Sequence, residues 1–147
     1  MKFITAIVLS LLCFFCVSAQ TVKTEYTNGN DKNRAADLTL ARKNSGGDIE
    51  EGIEIFSPRD IPIICYVDLA SDKPVTVKLN FIAVKVRGVR PNSKIISISY
   101  KTKEGEDIVT FTGKPEKQWV LGAYRVDILL DGKLTTSKEF TVSKKPK

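Results

Sequence analysis

Few side chains in this chain are able to do chemistry, and the most restrictive fact is that it contains no histidine. Without an imidazole there is no Ser-His-Asp or Cys-His nucleophile pair, no histidine zinc or copper site and no imidazole general base. Of the three cysteines, Cys13 and Cys16 lie in an apolar leader, which leaves Cys65 alone beyond it. Neither an intramolecular disulfide nor a thiolate zinc site is then expected. Carboxylates remain. Glu104, Glu106 and Asp107 share one turn and offer oxygen donors of the kind calcium takes, but they lack an EF-hand-like spacing, and the plainer expectation is a solvated acidic turn. Glu106 with Asp60 or Asp127 is the other pairing to weigh, because glycoside chemistry uses two carboxylates at a set separation, and nothing in the sequence supports that separation. The basic residues say more. Lys78, Lys85 and Arg87 alternate with apolar residues on one strand, and Arg90 and Lys94 follow in and after its turn, so their outward faces form one candidate anion-binding patch. The competing expectation is a solvated face, since lysine is also the usual guard on exposed strands.

These residues belong to a chain that begins with an export signal. Met1 to Ala19 carries Lys2 as a short positive region, an almost wholly apolar run from Ile4 to Val17, and the small-residue site Val17-Ser18-Ala19 before Gln20. The apolar run falls short of the ~20 residues that span a bilayer, so cleavage rather than anchorage is expected. Leu12 and Phe15 precede the two leader cysteines where a lipoprotein signal wants a small residue. Residues 20–147 suffice for one domain with a real core and are too few for two. The whole chain has 23 basic and 17 acidic side chains, a formal charge of +6 that falls by one when Lys2 leaves. That suits mild attraction to anionic surfaces and falls short of a nucleic-acid binder, which would gather its charge on one face with motif support.

Periodicity then places the strands. Trp119 to Val142 reads as a β-hairpin closed by Asp131-Gly132, a dipeptide suited to positive φ, with Tyr124, Val126, Ile128 and Leu130 on a core face and Arg125 and Asp127 on the other. Ile61, Ile63, Cys65, Val67 and Leu69 alternate with Pro62, Ile64, Tyr66 and Asp68, so Cys65 is expected as an inert core residue. Val75, Val77, Leu79 and Phe81 alternate on odd positions and Ile82, Val84 and Val86 on even ones, which predicts a bulge or strong twist near Phe81-Ile82. In all, seven strands are expected to start near 53, 61, 75, 95, 108, 123 and 134. Their connections are too short for the crossover helices of a parallel sheet. Residues 20–52 are polar, with turn signals at 28–31 and 45–48. Arg34 to Lys43 is able to form at most a short, marginal helix, and the expectation for 20–52 is a flexible tether or a weakly docked arm. A basic tail, 144–147, ends the chain.

From Phe56 to Val142 the chain resembles the immunoglobulin-like or fibronectin-type-III-like domains of exported bacterial proteins. The marks are W-x-x-G-x-Y-x-V from Trp119 to Val126 with Gly122 and Tyr124, the Asp131-Gly132-Lys133 turn, and the closing Phe140-Thr141-Val142. The resemblance implies a seven-stranded antiparallel immunoglobulin-like β-sandwich over 53–143, in which Trp119, Gly122, Tyr124, Gly132 and Cys65 are structural. It also implies that the inward Tyr124 bonds its hydroxyl to nearby backbone. The chain departs from true immunoglobulin domains where Val126 replaces the second cysteine. Those marks are specific for architecture and nearly silent on activity, and the missing histidine removes most hydrolase chemistry. The functional expectation is therefore a non-enzymatic recognition or adaptor domain of the cell envelope, periplasmic or secreted, binding a protein or an anionic glycan and needing no cofactor. The alternative is a purely structural spacer or cap. Intact mass or N-terminal sequencing of exported protein checks the leader: the mature chain should begin at Gln20, and a form that retains Lys2 contradicts the signal.

Overall fold

Alternating apolar and polar residues make strands wherever one face can be buried, and the computed structural model, which describes residues 36–144, contains only strands and turns. Nine strands are present among the described residues: β1 (Ala36–Lys43), β2 (Ile49–Glu51), β3 (Ile55–Phe56), β4 (Ile63–Leu69), β5 (Thr76–Val86), β6 (Ser93–Lys101), β7 (Ile108–Gly113), β8 (Gly122–Leu130) and β9 (Lys133–Val142). They form a four-stranded sheet in the order β2-β1-β4-β7 and a five-stranded sheet in the order β3-β9-β8-β5-β6. The core lies between the two. Leu38, Leu40, Ile63, Cys65, Val67, Val109 and Phe111 from the first sheet meet Val77, Leu79, Phe81, Val126, Ile128, Phe140 and Val142 from the second in one apolar cluster.

The β8–β9 hairpin forms as expected. Asp131 and Gly132 take φ of 47° and 84°, both positive, as a two-residue turn matched to the strand twist requires. Cys65 is fully buried in β4, opposite Leu40 of β1 and Phe111 of β7. Val126 of β8 lies in the same core cluster.

Three expectations need correction. Residues 36–52 are not a flexible arm: β1 lies inside its sheet, antiparallel to β4 from Ala36↔Leu69 to Ala41↔Ile64, and buries Leu38, Leu40 and Ala41. Ala, Leu, Arg and Lys favour helix on intrinsic grounds, but a weak local preference yields when a neighbouring strand and a core face are available. The period-2 set Ala36, Leu38 and Leu40 was the relevant signal. The sheet domain therefore starts by Ala36 rather than at 53, with nine strands rather than seven. Secondly, the pairing is not wholly antiparallel, because β3 runs parallel to β9 through Ile55↔Thr141 and Phe56↔Val142.

The third concerns the parity change in β5. An irregularity does fall at Phe81/Ile82 in the pairing with β6, where Phe81↔Ile96 is followed by Ile82↔Lys94, but the unmatched residue there is Ile95 of β6. Within β5 itself the inward face keeps to odd positions as far as Ala83, and Val84 is the unmatched residue between Ala83↔Tyr124 and Lys85↔Ala123. Ile82 therefore faces outward, buried but outside the core cluster. The leader, residues 20–35 and residues 145–147 of the basic tail lie outside the described residues.

If β1 is integral to the core, Leu40→Ala should cost about 2–5 kcal/mol in denaturant-monitored stability. The flexible-arm alternative requires no change.

Candidate functional site

The loop between β7 and β8 contains the dipeptide Trp119-Val120, and two hydrogen bonds decide which of its side chains enters the core. The Trp119 amide donates to the Pro58 carbonyl at 3.1 Å, tying this loop to the turn after β3. Four residues on, the Tyr124 hydroxyl donates to the Val120 carbonyl at 2.8 Å, the back-bond that the resemblance implied; burial pushes this phenol's pKa up. Between the two clamps the Trp119 ring turns inward, to 1% exposure. Its centroid lies 5.5 Å from those of Phe81 and Tyr124 and 6.1 Å from that of Phe140. The contacts to Tyr124 and Phe140 are edge-to-face, the arrangement favoured by ring quadrupoles. Among the described residues its Nε1 is the one buried side-chain polar atom without a hydrogen-bond partner. Gly122 follows because β8 passes against β5 here: a Cβ would strike the Lys85 carbonyl and the Val86 backbone, and φ is +153°.

With Trp119 inside, Val120 and Leu121 remain outside at 45% and 40% exposure. They and Pro58 form the apolar part of a cleft of about 600 Å³, with Trp119 also in its lining. Arg59 comes from the turn after β3, Arg87 from the end of β5 and Lys144 from the residues after β9. Gln118 and Ser57 complete the lining, which includes no carboxylate. All three cations are exposed, and no ion pair engages them among the described residues. The cleft is open, partly apolar and wholly cationic in its charge.

The expected basic patch is only partly assembled. Lys78 sits opposite Leu129 and Ser99, while Lys85 sits opposite Ala123 at the other end of β8. Seven residues of strand at about 3.3 Å each separate the two by roughly 20 Å. Lys85, Arg87, Arg90 and Lys94 occupy the end of β5, the β5–β6 turn and the start of β6; of the five, Arg87 alone lines the cleft. Sequence reasoning missed Arg59 and Lys144, because only folding brings the turn after β3 and the end of β9 to this place. The one local signal was the pair Val120-Leu121, apolar and contiguous with a core tryptophan.

Between Lys78 and Lys85 the outer face of the five-stranded sheet is engaged internally. Asp127 accepts from Arg125 Nε and from the Ser137 hydroxyl, both at 2.7 Å, and the first bond raises the Arg125 pKa. Asn80 accepts from the Ser97 hydroxyl at 2.7 Å. Of the other acidic candidates, Asp60 and Glu106 are engaged as well. Asp60 pairs with Arg42 at 3.0 Å and accepts the Ser57 amide at 2.7 Å. Arg42 also binds Glu50 at 2.9 Å, which raises its pKa. Glu106 accepts the Lys103 amide at 2.8 Å and the Tyr100 hydroxyl at 3.0 Å. The bond from the Lys103 amide holds its pKa below the usual glutamate value, against an opposing desolvation effect. Among the described residues no three His, Cys, Asp or Glu side chains gather as a metal site.

Among the described residues the sheets end in four edge strands, β2 and β7 in one and β3 and β6 in the other, and of these β2 and β3 are only three and two residues long. β6 is blunted by the unmatched Ile95 and by Lys94 and Lys101 near its ends, the usual defences of an edge strand. No helix among the described residues is long and apolar enough to cross a membrane. Compared with known proteins, the chain matches no family model and no curated sequence.

Burial pushes the Cys65 thiol from 9.0 up to about 12. A thiol reagent should label native protein slowly and denatured protein fast, and rapid native labelling contradicts the core placement. The sign of the pH effect follows: the unfolded chain loses this proton first, so the thiol's contribution to stability is intact below pH 9.0 and declines towards pH 12.

Proposed function

We propose that this protein is a non-enzymatic, exported recognition or adaptor module of the cell envelope, built on an immunoglobulin-like sandwich and binding an anionic protein or glycan at its cationic end. The fold reading is supported by the arrangement β1-β4-β7 against β9-β8-β5, which parallels the A-B-E and G-F-C sheets of immunoglobulin domains, and by the Tyr124 back-bond. The observation that carries the function is the cleft, where Arg59, Arg87 and Lys144 converge with no carboxylate among the lining residues. Exposed cations from three separate segments, in no ion pair among the described residues, create a local positive potential that steers and holds anions. Arg90 and Lys94, in and after the β5–β6 turn, are candidates to extend this surface, whereas Lys78 stands apart.

Binding of a sulfated polysaccharide and of polyglutamate, measured by titration, tests the reading and separates glycan from protein. Affinity should fall as salt rises from about 0.1 to about 1 M, where the Debye length shrinks from about 10 to about 3 Å. Arg59→Glu with Arg87→Glu should weaken binding by about tenfold or more, equivalent to about 1.4 kcal/mol. Lys78→Glu should leave it unchanged, and the changes at the two exposed arginines should move stability by no more than about 0.5 kcal/mol per site. Absence of binding by both probes, or binding insensitive to salt and to the arginine changes, contradicts the proposal.

A further inference from the structure

We infer that the cleft also takes a small anionic amphiphile, an alkyl chain with a carboxylate or phosphate head, with the head on Arg59, Arg87 and Lys144 and the chain along Pro58, Val120 and Leu121. The inference rests on the recognition reading in one respect, its use of the same cations. A purely polar anion has no use for the rest of the site. Val120 and Leu121 are adjacent, 45% and 40% exposed, and are held outward by the bonds that turn Trp119 in and fix the Val120 carbonyl. Their exposure is thus a consequence of the fold's own clamps. A volume of about 600 Å³ lies within the range of small-molecule sites, roughly 300–1,000 Å³, which are typically apolar with a few polar groups that fix orientation.

Charge and shape together choose the class. The lining offers cations, one amide side chain and one serine beside its apolar residues, and no carboxylate. A cationic amphiphile would be repelled, and a neutral one would gain nothing from the charge of the guanidinium groups. An anionic head satisfies the planar donor forks of Arg59 and Arg87, which suit carboxylate and phosphate alike.

The chain has one tryptophan, whose indole is 1% exposed and seated in the core behind the cleft wall, so occupancy is read by calorimetry and, through that wall, by its intrinsic fluorescence. Full-length mature protein is titrated with acetate, hexanoate, octanoate and decanoate below their micellar concentrations, with decyl phosphate and with decyltrimethylammonium. We expect a saturable Trp119 change whose affinity rises with chain length, by up to about fourfold per buried methylene. Decanoate or decyl phosphate should bind at least about tenfold tighter than decyltrimethylammonium, and which of the two binds better identifies the preferred head. Val120→Ser with Leu121→Ser, both on exposed side chains, should bring decanoate down to the affinity of hexanoate while leaving the melting temperature and polyglutamate binding in place. Chain-length independence, equal binding of the cationic amphiphile, or no loss in the double serine variant overturns the inference. If the sulfated polysaccharide or polyglutamate binds in a salt-sensitive way and decanoate does not, this inference fails and anion recognition stands; if no probe binds, both fail.

Discussion

The inward seating of Trp119 is the constraint on which both the core and the cleft depend. Its ring completes an aromatic group with Phe81, Tyr124 and Phe140, and Phe56 joins through Phe140 at 5.4 Å. These rings come from β3, β5, β8, β9 and the loop before β8, so the cluster covers the inner face of four neighbouring strands of one sheet and fastens the entering loop to it. Gly113 of β7 belongs to the same arrangement, because a Cβ there would collide with the Phe81 ring. A side chain at 113 would push Phe81 into Trp119, and the cost would be one of overpacking rather than of lost contact. The unpartnered Nε1 is the polar cost of burying so large a ring, offset by its apolar and edge-to-face contacts.

The same seating makes the surface. A clamp from Pro58 on one side and a back-bond from Tyr124 on the other leave Val120 and Leu121 facing outward, and the turn that supplies Pro58 supplies Arg59. The cleft thus draws on residues whose backbones are already fixed by core packing, so its apolar portion is preorganised while its charged portion consists of long, exposed side chains. Such a site holds a ligand's apolar body in a set position and lets the cations adapt to the anion, a division that lowers the ordering cost of binding.

Elsewhere the charged residues serve the fold. Arg42 links β2 and the turn before β4 to β1 through Glu50 and Asp60, which helps explain why β1 docks firmly despite its helix-favouring composition. Asp127 is unusual in a central strand, yet Arg125 and Ser137 satisfy it on the outer face. A buried carboxylate with such partners is structural, since its oxygens are hydrogen-bonded within the sheet. The fully buried Cys65 has no second cysteine among the described residues and behaves as a small core hydrophobe.

Local pattern was sufficient for much of this protein. The strands from β3 to β9, the Asp131-Gly132 turn, the burial of Cys65 and the inward Tyr124 were legible because each depends on alternation or on a turn dipeptide, signals carried within a few residues. Two-residue periodicity says which face of a strand is apolar, and the core obeyed it. Tertiary structure decided the rest. Ala36 to Lys43 became a strand because β4 offered it a ladder and a buried face, an influence that composition cannot reveal. The parity change fell at Val84 instead of Ile82 because the outer face also has room to bury an isoleucine, so burial alone did not mark the core side. The basic residues were read as one patch from their alternation, but alternation assigns a face and not a position along it, and roughly 20 Å of strand separates Lys78 from Lys85. The cations of the cleft, Arg59, Arg87 and Lys144, are far apart in sequence and meet only because the turn after β3, the end of β5 and the residues after β9 share one end of the sandwich.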